Sequence, residues 1–223
     1  MTRVVPFGDA AVLVVLEAAD EHDPAVIRGV HRLAAAIRGL GDPDLGSPVP
    51  GATSVLVGFD PLALDPAEAE ARLGPALVGA SDERAGDDGL SPLVELPTRY
   101  GGTDGPDLAT VAATAGLSER AVVDLHASVE YVVGFLGFAP GFAYLSAVPP
   151  AIATPRRATP RERIPAGSVG IADRRTAVYP GGTPGGWQLI GRTDTTVWDA
   201  RRDPPALLTP GTRVRFVPVP VGR

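Results

Sequence analysis

The sequence predicts an α+β protein: a small α/β N-terminal domain, then a β-rich domain built as a barrel or sandwich. Three observations carry this. Glycine and proline are both abundant, at 27 and 24 of 223 residues, which favours short strands and tight turns over a helical bundle. The first 80 residues alternate strand-like and helix-like patterns. From residue 129 onwards, short apolar runs are separated by Pro and Gly turns every 8–12 residues, the spacing of a barrel or sandwich.

In order along the chain, residues 10–17 (AAVLVVLE) form a β-branched apolar run suited to a buried strand. Asp23-Pro24 opens a helical pattern through about Arg38, with Val26, Val30, Leu33 and Ile37 at helical spacing. Residues 53–59 (TSVLVGF) read as a second strand, and Asp65-Pro66 starts another helix through about Val78. Strand, helix, strand, helix is the order of a small α/β unit. Residues 81–92 (SDERAGDDGLSP) are acidic and poor in large apolar side chains, so the domain break is expected there, between 1–82 and 90–223. A strand is expected at 93–96, then two short helices, one beginning near Asp107 and one capped by Ser118. The remaining strands are expected at 129–136, 168–172, 175–179, 187–190, 195–198 and 212–217.

Composition excludes several chemistries. The net charge of −6 argues against a nucleic-acid partner, which needs a basic excess. All 20 basic residues are arginine, so there is no lysine for a Schiff base or a P-loop. With no cysteine there is no disulfide, thiolate zinc site or cysteine nucleophile, and no histidine pair has metal-ligand spacing. No stretch approaches 18 apolar residues. The expectation is a soluble, cytoplasmic protein without a membrane or metal site.

Three segments could carry chemistry. Residues 134–145 (GFLGFAPGFAYL) place Phe138, Pro140 and Gly141 in a glycine- and aromatic-rich turn. It suits either a pocket wall or a strand, a tight turn and core aromatics. Residues 154–167 (TPRRATPRERIPAG) hold Arg156, Arg157, Arg161 and Arg163 within eight residues. Guanidinium groups bind carboxylate or phosphate oxygens; a solvated loop paired with local acids is the alternative. Residues 180–193 (PGGTPGGWQLIGRT) offer Trp187 for stacking and Gln188 and Arg192 as polar anchors, or a hairpin whose tryptophan packs inwards. His126, just before Glu130 and Tyr131, could move protons or simply pack. The residues by themselves lead to a small-anion pocket on a β-barrel.

The runs GFAPGFAYL (137–145), ATPRRATPRERIPAGSVGI (153–171), TPGGWQLIGRT (183–193) and RDPPALLTPGTRVRFVPV (202–219) resemble the signature of the 5-oxoprolinase B-subunit family. That family is also described through a sporulation-kinase inhibitor and one subunit of allophanate hydrolase. FGDAAVLV (7–14) and TSVLVGFD (53–60) are similar to its weaker N-terminal motifs. The resemblance implies a cyclophilin-like barrel and association with homologues of the family's C and A subunits. It also implies ATP-dependent hydrolysis of the 5-oxoproline lactam to glutamate, with Mg2+ accompanying the nucleotide. It maps onto His126, Tyr131, Phe138, Pro140, Gly141, Arg156, Arg161, Gly167, Pro184, Gly185, Gly186, Trp187, Gln188 and Arg192. The match does not assign individual roles; for hydrolysis of a lactam activated by ATP, Arg156, Arg161 and Arg163 are expected to neutralise phosphate or carboxylate oxygens, His126 to shuttle a proton, Gln188 to orient the lactam and Trp187 to wall the site. Kinase inhibition and an allophanate or urea amidohydrolase role remain the other expectations. Gly181-Gly182 stands where the family usually has an acidic or larger pair.

Overall fold

In a computed structural model, residues 2–79 and 92–220 are described, and the chain divides into two compact units, 1–90 and 91–223. The composition break at 81–91 lies outside the described residues.

The first unit is a four-stranded sheet with two helices. Strands β1 (Thr2–Pro6), β2 (Ala11–Leu16), β3 (Val49–Pro50) and β4 (Ser54–Gly58) pair in the order β1-β2-β4-β3, and every pairing is antiparallel. The anticipated strand, helix, strand, helix succession is present, joined by the short strands β1 and β3 that the apolar pattern does not mark. Alternation buries Val12 and Val14 of β2 and Val55 and Val57 of β4. Helix α1 (Pro24–Gly39) meets them with Val30, Leu33, Ala34 and Ile37, and α2 (Pro66–Gly79) with Ala69, Leu73 and Ala76. Both helices start where the sequence places them. Asp23 accepts the Ala25 N–H at 2.7 Å. Asp65 and Glu68 form a reciprocal capping box, each accepting the other's backbone N–H, at 2.9 and 2.8 Å.

The second unit begins with β5 (Leu93–Tyr100), α3 (Leu108–Ala115), α4 (Glu119–Ala127) and β6 (Tyr131–Leu136). Then come β7 (Ala143–Ser146), β8 (Arg161–Ile164), β9 (Ser168–Ala172), β10 (Arg175–Val178), β11 (Thr183–Gly185), β12 (Gln188–Thr193) and β13 (Arg213–Pro218). Seven strands close into a barrel in the order β10-β7-β6-β13-β5-β12-β9, while β8 and β11 form a separate two-stranded sheet. This is the expected α+β architecture with its cyclophilin-like barrel. The expected strand at 195–198 is not formed: those residues contribute only a single bridge, Trp198 to Ala206. The arginine-rich 154–167 segment, anticipated as loop, contains β8.

Strand alternation sorts the barrel's side chains into two layers. Val133, Leu145, Val169, Ile171, Val178, Ile190, Val214 and Phe216 join one core with Leu108, Val111 and Val122 of α3 and α4. Ala172, Ala177, Tyr179 and Leu189, on the opposite face, join Phe142, Ile164 and Trp187 in a second cluster. Through Ile164 and Trp187 the β8–β11 sheet lies on this outer face. Among the described residues no helix is long and apolar enough to cross a membrane.

Candidate functional site

The arginine segment and the Trp-Gln segment are brought together, and a residue outside both holds them. Thr183 pairs with Ile164 and Gly185 with Arg161 across β11 and β8. The Arg157 N–H donates to the Gly186 carbonyl at 2.7 Å, and Gln188 Nε2 donates to the Pro155 carbonyl at 3.0 Å. At the centre lies Asp107, only 3% exposed. Its Oδ1 accepts from Arg157 Nη1 at 3.0 Å and from Arg161 Nη2 at 2.8 Å. Its Oδ2 accepts the Leu189 N–H at 2.7 Å, and its own N–H donates to the Leu189 carbonyl at 2.9 Å. The run Gly105-Pro106-Asp107 brings the carboxylate against β12, a role that its local pattern does not announce. A Cβ on Gly105 would stand 2.1 Å from the Ile190 carbonyl oxygen, so only glycine allows so close an approach.

This arrangement leaves polar atoms unspent. Arg157 Nε, Arg161 Nη1, Thr183 Oγ1 and Gln188 Oε1 are buried without a hydrogen-bond partner among the described residues. An unsatisfied buried group costs about 1–3 kcal/mol, so each of these atoms calls for a partner beyond the side chains around it, an ordered water included.

Beside this cluster are two tyrosines, Tyr144 from the 137–145 run and Tyr179, which no sequence motif singles out. Burial pushes the Tyr179 hydroxyl up to about 12, opposed by the Trp187 backbone N–H and the charges of Arg156 and Arg161. Burial also raises Tyr144, against Arg156 and Arg175. Both hydroxyls therefore stay protonated near neutral pH and can donate. Exposed Arg156 is the charge common to both. Phe142 touches Tyr144, Tyr179 and Trp187 edge-on, with ring centroids 5.0, 5.1 and 5.4 Å away.

Other expected site residues fall elsewhere or act differently. Trp187 is buried in the outer layer, so it stiffens the wall from behind. Arg163 is exposed, and its guanidinium lies over Gly182, with Nε 3.2 Å from where a Cβ would stand. Gly182, not Gly181, thus makes room for an arginine. Phe138, exposed and at φ 67°, and Pro140 sit on the β6–β7 turn, linked to the site through the Phe138–Phe142 edge contact at 5.2 Å. Gly141 in that turn has φ 77°, and a Cβ there would meet Trp198 Cβ at 2.6 Å. Arg192, four residues beyond Gln188 and roughly 13 Å further along the strand, lines a different cleft of about 230 Å³ with Gly167, Thr193, Asp194 and Thr195.

His126 and Tyr131 require correction. Tyr131 is 1% exposed, and its hydroxyl donates to the His126 carbonyl at 3.0 Å. It packs in the barrel core, with its hydroxyl committed to that carbonyl. His126 is fully buried against Tyr100, Tyr131 and Phe216. The Thr176 hydroxyl donates to the Gly170 carbonyl at 3.0 Å, so it accepts from His126 Nε2–H at 3.0 Å. That leaves Nδ1 to accept from the Tyr100 hydroxyl at 2.8 Å. Both nitrogens are committed, and burial lowers the pKa to about 3. A proton shuttle needs a reachable nitrogen that titrates near neutrality, and this ring has neither.

Among the described residues no group of three or more His, Asp or Glu could hold a metal ion, and the one buried carboxylate of the site is taken by two arginines.

Fold and side-chain arrangement together define a β-barrel domain carrying two arginines and an amide clustered around Asp107, in a chain that also holds a small sheet-and-helix domain. Residues 2–208 match the carboxyltransferase domain, subdomain C and D, and the chain belongs to that family. It is 46% identical to the 5-oxoprolinase B subunit of Escherichia coli O157:H7, over 97% of this chain and 95% of that protein. With the 5-oxoprolinase B subunit of Bacillus subtilis (strain 168) it shares 53% identity over 56% of this chain and 52% of the relative. Among solved structures, TTHA0988 superposes with a TM-score of 0.80 at 35% identity, over 96% of this chain but only 40% of the longer TTHA0988 chain.

Proposed function

We propose that this chain is the B subunit of a 5-oxoprolinase, inactive alone and working with homologues of the A and C subunits. Together they would hydrolyse the lactam of 5-oxoproline to glutamate in an ATP- and Mg2+-dependent reaction. The near full-length likeness to the Escherichia coli protein supports this over the kinase-inhibitor and urea-amidohydrolase readings.

The single observation that carries the reading is the unspent set around Asp107. 5-Oxoproline presents a carboxylate, a lactam N–H and a lactam carbonyl. Arg161 Nη1 and Arg157 Nε are donors without partners, suited to the carboxylate. Gln188 Oε1 is an acceptor without a partner, suited to the lactam N–H. Thr183 Oγ1 and the protonated Tyr144 and Tyr179 hydroxyls offer donors to the carbonyl. Amide resonance makes a lactam slow to hydrolyse, so donors that strengthen as charge develops on the carbonyl oxygen assist its activation. In this proposal the chain's own residues bind and orient the lactam. Magnesium, commonly held through the phosphates themselves, belongs with the nucleotide.

The test mixes this chain with the A and C homologues, ATP, Mg2+ and 5-oxoproline and measures glutamate. Glutamate is expected only when this chain is present, and Gln188→Leu, which keeps roughly the same volume but removes the amide oxygen and nitrogen, should lower kcat/KM by at least tenfold. Equal glutamate without this chain overturns the proposal.

A further inference from the structure

We infer that Asp107 is the positioning residue of this arginine cluster, fixing Arg157 and Arg161 so that each keeps a free N–H donor; this rests on the functional reading above. An aspartate preceding a helix ordinarily caps it by accepting a first-turn N–H. Asp107 immediately precedes α3, yet its side chain makes no cap bond. Both oxygens are turned instead to partners 50, 54 and 82 residues away.

The division of labour between its two oxygens matters. A carboxylate with both oxygens free draws one guanidinium into a bidentate pair, which consumes two donors of that arginine. Here Oδ2 accepts the Leu189 N–H at 2.7 Å, and both arginines converge on Oδ1, each through one terminal nitrogen. One carboxylate oxygen anchors two cations monodentately. Arg161 Nη1 and Arg157 Nε are the donors left over. Gln188, next to Leu189 in β12, holds the start of the same arginine segment through the Pro155 carbonyl. Asp107 therefore sets where the arginines present their free donors, without touching substrate.

Asp107→Asn preserves the shape but removes the charge. Steady-state kinetics are read in the assembled complex of all three proteins, together with the melting temperature of the isolated chain. The expected result is a KM for 5-oxoproline raised at least tenfold, with kcat within about threefold. Arg161→Lys keeps the ion pair but carries no second edge, so it should show the same rise in KM with a melting temperature close to wild type. It reads the inference even where Asp107→Asn does not fold. The double variant should be no worse than the poorer single variant, because both changes remove the same presented donor. A wild-type KM in either variant, or effects that multiply in the double variant, overturns the positioning role. A wild-type complex that makes no glutamate sinks the functional reading and this inference with it.

Discussion

His126 shows how one residue's environment decides between catalysis and architecture. Its ring is held by Tyr100 on one side and Thr176 on the other, and burial lowers its pKa to about 3. The unfolded chain carries an ordinary histidine with a pKa near 6.5, so on acidification the unfolded state takes up this proton first. The stability contributed by the neutral ring is complete above about pH 6.5 and is lost as pH falls towards 3, by up to about 1.4 kcal/mol per pH unit. Between about pH 6.5 and 4.5 this residue should remove roughly 2–3 kcal/mol of stability. Carboxylates held low by arginines, such as Glu130 beside Arg213, also destabilise the fold on acidification, so the comparison must be with a variant. Urea unfolding of His126→Gln across the same range should show a slope shallower by about one proton. Identical slopes would mean that the ring titrates freely in the folded chain.

At the scale of elements, the β8–β11 sheet carries Arg161 and Thr183, and the glycines in and before β11 differ sharply in what they tolerate. A Cβ on Gly185 would stand 2.6 Å from Tyr179 Oη and 2.7 Å from Ile164 Cδ1, whereas one on Gly181 meets nothing within 4 Å. Gly185→Ala should cost about 1–3 kcal/mol, the usual range for overpacking, and Gly181→Ala should be nearly neutral. Unfolding midpoints of the two variants decide this, and equal midpoints would show that β11 yields freely. The same elements mark the limit of what sequence reveals. Helix starts at Asp23, Asp65 and Ser118 are legible because a cap and its partner lie within three residues of each other. The β8–β11 pairing joins stretches about 20 residues apart across two barrel strands, with no periodicity of its own. Asp107 is invisible for the same reason: its arginine partners are 50 and 54 positions away, and locally it reads as a helix cap. Arg161 and Gln188 stand out because arginine-rich and Gly-Gly-Trp-Gln runs are unusual in composition. Local sequence cannot report that Tyr131 enters the barrel core while Trp187 packs on the barrel's outer face.

At the scale of the whole molecule, each unit fills a core from its own residues, one from Val12 to Ala76 and the other from Leu96 to Phe216. We propose that the second unit is an independent domain, as barrel closure favours: every barrel strand has two neighbours, so no edge depends on pairing with the first unit. Residues 91–223 produced alone should therefore unfold in a single cooperative transition. They should also keep the acid-dependent loss of stability attributed to His126, whose contacts with Tyr100, Tyr131, Thr176 and Phe216 all lie within that segment. Circular dichroism melts at about pH 7 and pH 5, which straddle the ordinary histidine pKa, measure both properties together. A non-cooperative melt would show that the barrel needs the preceding sheet to fold. A cooperative melt without the pH shift would instead place the effect in groups outside this buried network.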